Sequence, residues 1–178
     1  MNKRTPAHLV LKSAVLFLSL LCFYPLSATN PQKKEMKELN VKKVSLANVA
    51  VENVPALLDK EKVDFQSINT VNWKAFPYQP EVQFRIAHTD DAILIHYKVK
   101  EASVRAVATG DNGAVWEDAC VEFFSIPAGD GIYYNVECNC VGTLLIGAGG
   151  GRSNREHAPQ EVMDKVQRWS SLGRESFE

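Results

Sequence analysis

The segment Trp116-Glu117-Asp118-Ala119-Cys120-Val121-Glu122 places one indole and three carboxylates within seven residues. A flat aromatic beside acceptor-only carboxylates suits a ring with an apolar C–H face and a rim of hydroxyls, which is the chemistry of a sugar. Val121 and Phe123 alternate with Cys120, Glu122 and Phe124, the two-residue period of a strand with one buried face. The turn signal Gly110-Asp111-Asn112-Gly113 comes just before and sets the indole at the mouth of that β-structure. Trp116 is therefore the candidate stacking plate and Glu122 the candidate acceptor. Glu117 and Asp118 read as residues that shape the loop. A glycoside hydrolase would need two carboxylates about 5 to 10 Å apart, on either side of the scissile bond. Acids from one loop and one strand do not readily flank a substrate. Binding without turnover is the leading expectation, and a glycoside hydrolase or its accessory domain is the alternative. A structural or partner-binding sandwich without a small ligand is the third reading.

The elements that must hold these groups are strands. Val82, Phe84 and Ile86 alternate with Gln83 and Arg85. Ile93, Ile95, Tyr97 and Val99 alternate with Leu94, His96, Lys98 and Lys100, and Thr89-Asp90-Asp91 between the two runs predicts a hairpin. After Pro127-Ala128-Gly129-Asp130-Gly131, Tyr134, Val136, Cys138 and Cys140 alternate with Asn135, Glu137 and Asn139. A short apolar run, Leu144-Leu145-Ile146, follows Gly142, and Gly147 to Arg152 reads as a flexible loop. Closely spaced turn signals favour an all-β, antiparallel β-sandwich of jelly-roll or immunoglobulin-like type over βαβ units. Pro159 followed by Val162, Val166 and Trp169 predicts one short helix near 159–168. Trp73, ahead of Phe76-Pro77-Tyr78, reads as a packing residue.

The 178-residue chain carries 20 basic and 21 acidic residues, a net charge of −1. That balance gives no basic face for nucleic acid. Lys3, Arg4 and Lys12 precede a 12-residue apolar run, Ser13–Tyr24, which Pro25 ends. The run is shorter than the roughly 20 residues that span a bilayer, so residues 1–28 are expected to be a cleaved signal peptide. The protein is then secreted, periplasmic or at the cell surface, with no membrane span after cleavage. Residues 29–42 read as a polar tether and 43–178 as the sandwich. Beyond the leader stand Cys120, Cys138 and Cys140, an odd number that cannot form a fully paired framework. They are read as buried small hydrophobes, with no metal.

The run Trp116 to Phe124, WEDACVEFF, resembles the core signature of family 9 carbohydrate-binding modules and their DOMON-like relatives. Val71 to Phe76, Phe84 to Val99 and Tyr133 to Gly142 are similar, in order, to the family's early tryptophan segment, first hairpin and following strand. The resemblance implies a β-sandwich that holds a sugar between two tryptophans. Trp116 matches the first of these, and Glu122 matches the glutamate that bonds sugar hydroxyls. Asn135 matches a polar residue of the adjacent strand, where better-studied members carry a basic residue. Arg85 is a further candidate contact. The second tryptophan comes later in the family pattern than this chain extends, so the domain is expected to be incomplete at its C-terminus. The partner is expected to be a mono- or oligosaccharide, with a polysaccharide-degrading enzyme nearby. No cofactor is expected; calcium stays open through loop acids such as Asp111 or Asp118, without a clear ligand set.

Overall fold

A computed structural model describes residues 38–45 and 49–178. The expected signal peptide and the tether as far as residue 37 lie outside the described residues. Leu39–Glu178 form one unit with eight strands: β1 (Lys42–Lys43), β2 (Gln66–Ile68), β3 (Glu81–His88), β4 (Ile93–Lys100), β5 (Cys120–Ser125), β6 (Tyr133–Asn139), β7 (Leu144–Gly149) and β8 (Glu156–His157). They make two four-stranded sheets, a β-sandwich of antiparallel pairs apart from the two-residue parallel contact of β1 with β3. Lys42, placed at the end of the tether by sequence, belongs to β1.

In the first sheet β3 is central. It pairs with β4 along its whole length, from Glu81↔Lys100 to His88↔Ile93. The expected hairpin closes through Thr89, whose N–H donates to the Ala92 carbonyl at 2.8 Å while its Oγ1 accepts from the Ala92 N–H at 2.9 Å. The pleat puts Arg85, Ala87, Leu94 and His96 on one face and Phe84, Ile86, Ile95 and Tyr97 on the other. A helix, α1 (Val54–Lys60), covers the first of these faces, and Leu58, Val54, Ala87, Leu94 and Val44 form its core. Sequence reading missed α1, although Val54, Leu57 and Leu58 have helical spacing and Pro55 sits in the first turn, where a missing N–H costs nothing.

The second sheet runs β5-β6-β7-β8. Val136 and Cys138 of β6 and Leu144 and Ile146 of β7 share one face, which packs against α2 (Gln160–Met163) through the buried Met163. The helix expected over 159–168 is thus a single turn, and its inward residue is Met163, with Val162 and Trp169 exposed. Gly147 and Gly149 belong to β7 where a flexible loop was expected. A Cβ on Gly149 would stand 2.5 Å from the Asn154 carbonyl, so the returning chain requires glycine there. Tyr97 reaches across from the first sheet, its hydroxyl donating to the Glu122 carbonyl at 3.2 Å. Trp73 is 69% exposed rather than packed.

Leu58 has no exposed surface, so Leu58→Ala should destabilise the fold by about 3 kcal/mol. Urea unfolding would read this as a lowered midpoint at unchanged slope; an unchanged midpoint would show that α1 does not seal this core.

Candidate functional site

Trp116 lies in a single 3-10 turn, Val115–Glu117, that leads into β5. The residues on either side hold it. Val115 is fully buried, and Asp118 has no exposed side-chain surface. One Asp118 oxygen accepts the Val107 N–H at 2.9 Å; the other accepts the Ala108 N–H at 3.0 Å and the Asn139 Nδ2–H at 2.9 Å. Burial works against the Asp118 charge, but these donors outweigh it and hold the carboxyl below its ordinary value. With an apolar anchor before it and a saturated carboxylate after it, the indole is left outside, 57% exposed. The loop-shaping role expected of Asp118 is what its hydrogen bonds perform.

Asn139 extends the same scaffold. Its Oδ1 accepts the N–H groups of Thr143 at 2.8 Å and Val141 at 3.2 Å, closing the β6–β7 turn around Gly142, whose φ is +83°. The turn before β5 and the turn after β6 are therefore joined through one side-chain pair.

Glu122 lies on the sheet face opposite Val121 and Phe123. Directly across on β6 is Glu137, and Phe124 is across from Asn135. Both carboxylates and Asn135 share that face, with Gly147 beside Asn135 on β7. Asn135 is fully buried, and its Nδ2 donates to Glu137 Oε1 at 2.6 Å. The remaining acceptors, Asn135 Oδ1 and Glu137 Oε2, have no partner; among the described residues they are the buried side-chain polar atoms left unsatisfied. A buried acceptor without a donor costs about 1–3 kcal/mol. Glu122 is itself exposed. Partial burial and the facing charge of Glu137 raise its pKa, against the pull of Arg155 and Arg152 in the loop between β7 and β8. Cys120 completes the row: burial, and then the charges of Glu122 and Glu137, push its thiol up to about 12. Among the described residues Cys120, Cys138 and Cys140 are free, and each is partly buried rather than fully buried as expected.

The structure brings Glu122 and Asn135 together on this face and sets Trp116 in the turn that enters its first strand. Arg85 is placed elsewhere. It is buried under α1 in the other sheet, where Nη1 donates to Asp59 at 2.6 Å, Nη2 to the Pro55 carbonyl at 2.9 Å and Nε to His96 at 3.1 Å, with Phe65 4.4 Å beneath the guanidinium. The bonds to Asp59 and Pro55 hold α1 to the sheet, and the bond to His96 ties Arg85 to β4. The loop acids raised for calcium are also engaged: Asp111 accepts a bidentate pair from Arg168, at 2.9 and 2.6 Å, and the Leu144 N–H at 3.0 Å. Glu137 was not among the candidates read from sequence. Its signal was the polar row Asn135, Glu137, Asn139, but its position opposite Glu122 depends on strand register.

A model of carbohydrate-binding family 9 matches residues 52–178. The crystal structure of a candidate carbohydrate-binding protein from Bacteroides uniformis ATCC 8492, at 2.70 Å resolution, is similar, with 62% sequence identity and a TM-score of 0.77. That match covers 80% of this chain and 66% of the other. No curated protein matches the chain.

Replacing Asp118 by Ala would leave the Val107, Ala108 and Asn139 donors unpaired and should cost about 3 kcal/mol near neutral pH. Because the folded pKa is depressed, this contribution is present above the ordinary carboxylate value of 3.8 and is lost as pH falls through the lower, folded value. Denaturation of wild type and Asp118→Ala across pH should show a gap that is full at pH 6 and narrows below 3.8; a gap independent of pH would mean that the charge is not what holds the turn.

Proposed function

Because the chain belongs to carbohydrate-binding family 9, we propose that the β5–β7 face with its buried, unpartnered acceptors is where it takes up a sugar. Trp116 stacks on the C–H face of the ring, Glu122 accepts hydroxyl donors, and Asn135 and Glu137 complete the acceptor set. The carrying observation is the pair of orphan oxygens, Asn135 Oδ1 and Glu137 Oε2, one strand from Glu122. Buried polar atoms are nearly always satisfied, and a hydroxyl-rich ring supplies donors to a site that consists of acceptors. An exposed indole at the edge of such a face supports the same reading.

Glu122 and Glu137 stand side by side on one face, as cross-strand neighbours. A pair so placed binds one side of a ring and leaves a glycosidic bond unflanked, so the activity is retention of a glycan without hydrolysis. The apolar run Ser13–Tyr24 after Lys3, Arg4 and Lys12 supports export to the periplasm, the cell surface or the medium. There the module would keep a polysaccharide close to an enzyme that degrades it.

Isothermal titration of mono- and oligosaccharides tests the reading. Trp116→Ala should weaken binding by about 2 kcal/mol, roughly thirtyfold. Glu122→Gln should weaken it less, and reducing-sugar release should be absent throughout. Unchanged affinity in Trp116→Ala removes the indole from the site.

A further inference from the structure

The geometry points to a second ligand for this face, a divalent metal ion of the zinc class held by Cys120 Sγ, Glu122 and Glu137. One ligand atom from each of these residues lies within 4.8 Å of both others. A small side-chain adjustment that draws the donors in to separations of about 3.3–3.6 Å would let one tetrahedral ion sit about 2.0–2.3 Å from each. Strand register sets it: Glu122 and Glu137 are a direct cross-strand pair, and Cys120 is two residues along the same face. Thiolate with carboxylate is a mixed soft and hard donor set, which favours zinc and its neighbours over calcium or magnesium.

Two further observations point to a cation. Neither Glu122 nor Glu137 forms a salt bridge among the described residues, although the two acids face each other directly. Like charges directly opposite on a sheet are destabilising unless something positive separates them. Independently, the fully buried Asn135 leaves its Oδ1 without a partner on this face while its Nδ2 holds Glu137 Oε1, as a residue that orients a metal ligand does. Cys120 is half-buried and Glu122 exposed, so the ion would enter from the Glu122 side. On binding, the Cys120 thiol gives its proton to bulk water and its sulfur pair to the ion, with no change of oxidation state.

The site uses Glu122 and Glu137, which the proposed sugar contact also uses, but it does not rest on that reading and is tested without sugar. The chain is stripped with a chelator, dialysed and titrated with cobalt(II). The expected result is a thiolate-to-cobalt charge-transfer band in the near ultraviolet that saturates at about one equivalent per chain. The band should vanish in Cys120→Ser and persist in Cys138→Ser and Cys140→Ser. Glu122→Gln, at an exposed position and so neutral to folding, should weaken cobalt binding by at least about tenfold. A charge-transfer band that is absent from wild type, or that survives in Cys120→Ser, overturns the assignment, as does unchanged affinity in Glu122→Gln. Glycan titrations with chelator present read the sugar site separately.

Discussion

The buried carboxylate of Asp118 is the constraint on which the site depends. A charge without exposed surface persists only when donors surround it, and Val107, Ala108 and Asn139 provide them. Through Asn139 the same charge fixes the β6–β7 turn, so the entry to β5 and the exit from β6 cannot move apart independently. The indole of Trp116 projects outward because the residues beside it are held inward. The pair Glu122 and Glu137 lies two residues in from this tied end, beside Cys120↔Asn139.

Polar burial is treated differently on either side of that scaffold. Where side chains hold backbone, as at Asp118 and Asn139, their acceptors are filled. Two and four residues back along β6 from Asn139, Glu137 Oε2 and Asn135 Oδ1 are left without partners, and a cysteine and a second glutamate lie close to Glu137. Structural networks do not tolerate such gaps at no cost, whereas a site that awaits donors requires them. This contrast within one sheet supports the proposal that the β5–β7 face is a recognition surface rather than one that is simply polar.

The sequence made part of this visible. Period-two alternation revealed β3 to β6 and the faces of their residues, because side-chain direction alternates with chain position alone, whereas β7 showed only as a short apolar run ahead of an expected loop. The turn around Trp116 could be anticipated from Gly110-Asp111-Asn112-Gly113. Alternation does not say which face of a strand a helix covers, so Arg85 could not be told from a ligand contact until α1 was seen above it. It also gives no register between strands. Glu137 therefore looked like one polar residue among several, although it stands directly across from Glu122. The short helical spacing near Val162 overstated α2, since its inward contact is made by Met163 and the chain turns away directly after it.

The central claim is that ligand recognition occurs on the β5–β7 face. Two-dimensional 1H–15N spectra of the chain, recorded while a panel of glycans is titrated, test it most directly. The predicted result is a saturable set of shifts at the Asn135 side-chain amide, the Trp116 indole N–H and the backbone amides of Glu122 and Glu137. Shifts confined to the β3–β4 sheet under a glycan that demonstrably binds, or none with any glycan of the panel, would contradict it.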